Sequence, residues 1–191
     1  SGCGDQLKTS TKDESINITK EILAGTWTSK CTRDTTDSTA AIRILVFSST
    51  GDNLTVTTNN FSDENCSSES FIFTKVLDNL VLGETTTSSQ NQIIKKFTSK
   101  VVNIALEPKS SYISSSLNFH EYCGLTGWTP GTTVSLTGLT CSSTTFDSAN
   151  DLHYDIIQIS SEKSFIRVGN ITNTDNTDGY PKTLYSEEYY K

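Results

Sequence analysis

Long apolar segments and a surplus of basic residues are both missing from this sequence of 191 residues. The longest uninterrupted apolar run covers residues 44–47, whereas a membrane-spanning helix needs about 20 apolar residues. Fifteen Lys and Arg stand against 22 Asp and Glu, which gives a formal net charge of -7. Because that charge repels phosphate backbones and anionic lipid headgroups, we expect no nucleic acid partner.

Methionine is absent and proline occurs 3 times, whereas Ser and Thr together make up about 30% of the residues. Thr, Val, Ile, Phe and Tyr favour strands, and Ser, Asn, Asp and Gly favour the turns that join them. The composition therefore predicts an all-β fold. The length is sufficient for one core of ordinary size and short for two, so we expect one globular domain.

Eight or nine strands can be placed between Thr26 and Asn170, joined in series by turn sequences such as "STGDN", "SSEKS" and the Asp78-Asn79 pair of "LDNL". Such antiparallel hairpins must protect their edges, either by closing into an up-and-down barrel or by forming two packed sheets. The segment "PKSSYISSSLNFHEYCG" interrupts the series and predicts one short helix, ending by Gly124, before the last strands. The meander on either side favours the barrel.

Residues for catalysis or metal binding are scarce. Only two histidines exist: His120 lies near Cys123, which has a candidate disulfide partner, and His153 lies within a predicted strand. No Gly-x-Ser-x-Gly elbow and no Cys-x-x-Cys pair is present. The acidic "NTDNTDGY" has Asp178 and Leu184 where an EF-type calcium loop needs Gly and Glu. We therefore expect no enzymatic activity, no metal and no cofactor.

Four of the five cysteines form two local pairs, Cys31 with Cys66 and Cys123 with Cys141. Four cysteines allow three connectivities, and the sequential one is favoured because each bond closes a short stretch of chain. Each such bond would contribute about 3 to 4 kcal/mol on the loop-entropy model. Disulfides persist outside the reducing cytoplasm, so this pairing predicts an exported protein. Buried thiols in a cytosolic protein are the alternative.

The fifth cysteine, Cys3, lies in "SGC", which resembles the end of a bacterial lipobox. In such a motif the signal peptide is cut before a cysteine that becomes diacylated. The residues that follow are polar and mixed in charge, as in a flexible tether. We expect a lipid-attached tether over residues 1–20 and the folded domain over residues 21–191, with the acyl chains as the membrane contact. An incidental cysteine in a cloning junction is the alternative.

Three segments resemble known families. "LAGTW", with Gly25 and Trp27, resembles the Gly-x-Trp motif of the lipocalins, in which the Trp closes one barrel end beneath an Arg of the last strand. The resemblance implies that Arg167 covers Trp27. "LNFHEYCGLTGW" and "DGYPKTLYSEEYYK" resemble lipocalin-like lipoproteins of Gram-negative bacteria, which have no settled activity. The inserted helix and disulfide depart from true lipocalins.

The resemblance implies a binding protein of the bacterial envelope, anchored to the outer membrane and facing the periplasm or the cell surface. A small apolar ligand would lie inside the barrel, against apolar walls that include Ile44, Val46, Phe71, Phe73 and Ile156; the parity that faces inward is open. The alternative is an adhesin-like or structural envelope protein with a filled barrel. In that case a C-terminal tyrosine cluster could contact protein or glycan: Tyr180, Tyr185, Tyr189 and Tyr190.

Overall fold

A computed structural model describes residues 16–191 of the chain. The helices are α1 (Lys20–Leu23), α2 (Ser111–Phe119) and a 3-10 turn (Tyr122–Gly124). The strands are β1 (Gly25–Ser29), β2 (Thr32–Asp34), β3 (Thr39–Phe47), β4 (Leu54–Phe61), β5 (Glu69–Thr87), β6 (Ile93–Pro108), β7 (Val134–Ser135), β8 (Thr140–Cys141), β9 (Thr144–Thr145), β10 (Leu152–Ile159), β11 (Phe165–Val168) and β12 (Tyr189–Tyr190).

Eight antiparallel strands form a closed ring in the order β1, β3, β4, β5, β6, β10, β11 and β12. The ring closes because β1 pairs with β3 on one side and with β12 on the other. This arrangement confirms the predicted antiparallel β-fold with one short helix before the last strands. None of the helices within residues 16–191 has the length and apolarity needed to cross a membrane.

The pairing register shows which side chains face into the ring. Leu45, Val56 and Lys75 lie opposite one another on β3, β4 and β5, and Leu45 is buried, whereas its neighbour Val46 is 38% exposed. Successive strand residues point to opposite faces. Of the apolar wall residues named from the sequence, Phe71 and Phe73 therefore face inward, while Ile44 and Val46 face outward.

The last of those residues, Ile156, is fully buried but faces outward. It packs with Ile94, Leu184 and Tyr180 in a small second cluster on the outside of the sheet. The C-terminal segment covers this part of the wall. The predicted place of Ile156 in the luminal wall is therefore wrong. An apolar residue in a strand is expected to be buried, and Ile156 is buried beneath the C-terminal segment instead of inside the ring.

The predicted hairpin turn at Asp78-Asn79 is also wrong, because β5 runs without interruption from Glu69 to Thr87. Asn79 has a φ of 50° and lies where the pairing with β6 shifts register, between Asp78 and Val81. A left-handed residue that interrupts the ladder in this way makes a β-bulge. Asn tolerates a left-handed conformation in a bulge as well as in a turn. The sequence therefore correctly indicates an irregular backbone at Asn79, but the irregularity is a bulge within β5 and not a hairpin turn.

Trp27 occupies the closed end of the ring, where its indole is almost fully buried. Its Nε1 donates a 2.7 Å hydrogen bond to the carbonyl of Leu23 in α1, and the Lys191 Nζ lies 5.1 Å from its ring centroid. Gly25 has a φ of +119°, and a Cβ there would lie 2.9 Å from the Lys191 Cε. Glycine is favoured at this position because its φ lies in a region that residues with a Cβ rarely adopt, whereas the flexible lysine could move aside.

The cation above Trp27 is thus Lys191, and the predicted pairing with Arg167 is wrong. Arg167 follows Ile166, which is fully buried and faces the core, so the arginine points to the outside. Its guanidinium forms an ion pair with Glu188 and lies 5.2 Å from the Phe165 ring centroid. The alternation of inward and outward side chains along β11 therefore keeps Arg167 away from Trp27.

An excursion over residues 109–151 connects β6 to β10 and packs against the inner face beyond the end of β10. Ser110 caps α2 by accepting a hydrogen bond from the Ile113 N–H. The Phe146 ring centroid lies 5.7 Å from that of Phe73, and the Lys75 Nζ lies 2.8 Å from the Asp147 carboxylate. Because Phe73 faces inward, this contact places the excursion over the open end of the ring.

Both predicted disulfides are confirmed: Cys31 is bonded to Cys66, and Cys123 to Cys141. Two disulfides are compatible with an exported protein. Cys3 lies outside the described residues. Ile16 and Ile18, which the sequence assigns to the tether, pack against the core, and Ile18 is buried.

We expect each disulfide to be a major source of stability. The bonds span 35 and 18 residues, so replacing either pair by Ala should lower the free energy of unfolding by about 3 to 4 kcal/mol through loop entropy. Urea denaturation of the two double variants, C31A/C66A and C123A/C141A, measures this. Unchanged midpoints in both would contradict the expectation.

Candidate functional site

A cavity of about 490 Å³ lies inside the ring. Its deeper wall is apolar and comes from the inward positions of five strands: Leu45, Leu54, Val56, Leu77, Phe97 and Val168. Along each strand these inward-facing residues alternate with residues that point outward. Because the sheet curves into a ring, the inward-facing side chains enclose a cavity. Trp27 is the cross-strand partner of Leu45 and closes the ring beside this wall.

Polar and charged side chains line the remainder of the same cavity. They are Thr32, Arg43, Thr58, Lys75, His153, Asp155 and Glu187. Two exposed apolar side chains, Ile171 and Tyr185, also line it and mark its opening to solvent. The cavity therefore has an apolar interior and a polar rim, as small-molecule sites commonly do.

Glu187 connects the C-terminal segment to β2 and β3. Its carboxylate accepts hydrogen bonds from the Arg43 guanidinium at 2.8 Å, the Thr32 hydroxyl at 2.8 Å and the Tyr189 hydroxyl at 2.9 Å. A carboxylate with three donors is well satisfied despite being largely buried. This network holds the segment that carries Glu187 against β2 and β3.

Tyr189 is the buried member of this network and faces the core from β12. Burial of the phenol raises the pKa of Tyr189 above the usual value for tyrosine, and the adjacent Glu187 carboxylate adds to the rise. Both causes favour the protonated hydroxyl. Tyr189 therefore stays neutral at pH values where an unfolded tyrosine ionises.

Asp155 is held by the backbone beside the cavity. Its Oδ1 accepts hydrogen bonds from the N–H groups of Ile156 at 2.8 Å and Gly169 at 3.0 Å. A Cβ at Gly169 would collide with this carboxylate, so glycine is required there. The His153 Nε2 lies 3.6 Å from the Asp155 Oδ2, which is longer than a hydrogen bond.

The four tyrosines predicted as one C-terminal cluster lie in separate places. Tyr185 is exposed at the cavity opening, and Tyr189 is buried in the ring. Tyr180 packs on the outer face, 5.2 Å from Tyr154 between ring centroids. Tyr190 packs against Phe165 at 6.0 Å. They do not form one continuous aromatic surface.

Sequence reasoning missed Arg43, Lys75 and Glu187 as cavity residues. One signal was present: in "TAAIRILVF", Arg43 falls on the same alternating set as Ala41, Leu45 and Phe47, all of which are buried. A charged residue within a buried apolar alternation indicates a polar site inside a sheet. The convergence of the three residues depends on the ring, which brings distant segments together.

Within residues 16–191, no group of three or more His, Cys, Asp or Glu side chains is arranged to hold a metal ion. No protein-family model matches the sequence, and no curated protein is significantly similar to it. The cavity is therefore interpreted from its own chemistry.

We expect Tyr189 to make stability depend on alkaline pH. Above pH about 10 the unfolded phenol ionises while native Tyr189 keeps its proton, so the free energy of unfolding falls as pH rises. In Tyr189→Phe that fall should be shallower by up to about 1.4 kcal/mol per pH unit. Urea denaturation between pH 8 and 11 measures the slope.

Exposed Tyr112 provides the matched control, and Tyr112→Phe should keep the wild-type slope. Equal slopes for Tyr189→Phe and wild type would show that Tyr189 titrates normally in the folded protein.

Proposed function

We propose that this protein binds one small apolar ligand inside the ring and is not an enzyme. The observation that carries the proposal is the cavity of about 490 Å³, apolar at depth and polar at its rim. Small-molecule sites typically measure about 300 to 1,000 Å³. Each 100 Å² of apolar ligand surface removed from water would contribute about 2.5 kcal/mol to binding.

The proposal extends to location. The sequence "SGC" supports a lipid anchor at Cys3, and the two disulfides support export, so we place the protein on the bacterial envelope as a lipocalin-like lipoprotein. An acyl anchor would hold the domain at a membrane that its acidic surface does not attract. The binding function does not depend on the anchor.

A second candidate function is favoured by a different surface. Tyr112 and Phe119 on α2 are 82% and 84% exposed, and their spacing of seven residues puts them on one side of the helix. Exposed aromatic side chains of this kind are common at protein interfaces. This surface supports an adhesin-like or structural role on a macromolecular partner.

Native mass spectrometry of protein purified from its own host separates the two functions. A bound small molecule, seen as a discrete added mass, supports the ligand-binding proposal. Its absence, together with no uptake of an apolar probe in vitro, would overturn it and favour the macromolecular role.

We expect Val56→Trp to abolish probe binding, because Val56 faces the cavity and a larger side chain would fill it. The affinity for N-phenyl-1-naphthylamine, a neutral fluorophore, should fall at least about tenfold, equivalent to 1.4 kcal/mol. Val46→Trp is the matched control, since Val46 lies on the adjacent strand and faces solvent. Fluorescence titration gives both affinities, and circular dichroism checks that each variant is folded.

Equal loss in both variants, or no loss in Val56→Trp, would show that the fluorophore binds elsewhere.

A further inference from the structure

Two cations lie on one wall of the cavity with a single strand between them. Arg43 of β3 is opposite Thr58 of β4, and Lys75 of β5 is opposite Val56, two residues along the same strand. All four side chains line the cavity. Strands lie about 4.8 Å apart, so the backbones of β3 and β5 are about 10 Å apart. Both long side chains can reach one ligand group above β4.

The unused hydrogen-bonding capacity on this wall consists of donors. Glu187 already accepts three hydrogen bonds, whereas Lys75 has three N–H donors and, among the described residues, donates only to Asp147. Arg43 has five side-chain donors, and its guanidinium donates a hydrogen bond from Nη1 to Glu187. A ligand group placed here must therefore accept hydrogen bonds.

The charges on this wall limit the charge of that group. Arg43 is paired with Glu187 and Lys75 with Asp147, so the four side chains together are neutral. Asp147 is half exposed and can turn to solvent, which leaves Lys75 one positive charge to offer. One negative charge can be compensated in this way, whereas a second would meet Glu187 and Asp155 without compensation.

We infer that the ligand is a single-chain amphiphile with a carboxylate head group, held at the rim by Lys75 with Arg43, and with its chain against the apolar wall. This inference rests on the proposed ligand-binding function. A cationic amphiphile is disfavoured because Glu187 is satisfied, and Asp155 has only its Oδ2 without a backbone donor.

Three probes with one chain length test the inference: decanoate and decylammonium below their micellar concentrations, and decanol below its solubility limit. Their affinities are measured at pH 7.5 by displacement of N-phenyl-1-naphthylamine from the wild-type protein. We expect decanoate to bind at least about fivefold more tightly than decanol, with decylammonium weakest. Lys75→Met should remove the preference for decanoate over decanol, and Lys75→Arg should retain it.

Lys100→Met is the matched control, because it changes net charge equally on the outer face, where Lys100 is exposed opposite Leu152. It should leave the preference unchanged. A second variant, Asp147→Asn, releases Lys75 from its partner and should strengthen decanoate binding while leaving decanol unaffected. This variant keeps the test valid if Lys75→Met is unstable.

The outcomes distinguish a failure of the carboxylate inference from a failure of the proposed ligand-binding function. If none of the probes displaces the fluorophore and none binds directly in calorimetry, the proposed function fails. If all three bind equally, or decylammonium binds most tightly, the function stands and the carboxylate inference is overturned. An unchanged preference in folded Lys75→Met, or in Asp147→Asn where Lys75→Met does not fold, also overturns it.

Discussion

Closure of the ring depends on the last residues of the chain. β12 consists of Tyr189 and Tyr190 alone, yet it joins β1 to β11 and so completes the circle of strands. Glu187, Glu188 and Lys191 contact Arg43, Arg167 and the Trp27 ring in turn. We call this junction, where β12 joins β1 to β11, the seam. Because partly exposed ion pairs contribute only about 0 to 1 kcal/mol each, backbone pairing and the buried Tyr189 must supply most of the stability of the seam.

The seam and the cavity share one side chain. Arg43 anchors the C-terminal segment through Glu187 and also lines the cavity rim. A ligand that attracted Arg43 strongly would compete with the contact that closes the ring. Lys75 is different, since its partner Asp147 belongs to the excursion over residues 109–151, which has its own disulfide, Cys123–Cys141. In the proposed ligand-binding function, a ligand can therefore contact Lys75 without opening the seam.

Local chemistry in the sequence was sufficient for the strand class, the inserted helix and both disulfides. It failed where the outcome depends on a distant partner: Asn79 makes a bulge because β5 stays paired with the long strand β6, and Arg167 points outward because Ile166 faces the core. A cavity inside the barrel was the preferred prediction, with a filled barrel as the alternative. Its charged residues come from β3, β5 and the C-terminal segment, and nothing local indicates that these meet.

The two cations at the cavity rim, Arg43 and Lys75, are the strongest support for the proposed ligand-binding function. Burying a charge is unfavourable unless it is paired, and buried ion pairs can often be replaced by apolar residues without loss of stability. At the next inward positions of the same strands the chain has Leu45 and Leu77. A ring built for stability alone could continue that pattern at positions 43 and 75. The chain has cations at these positions instead, each paired with a carboxylate. Their remaining N–H donors face the cavity beside its apolar wall.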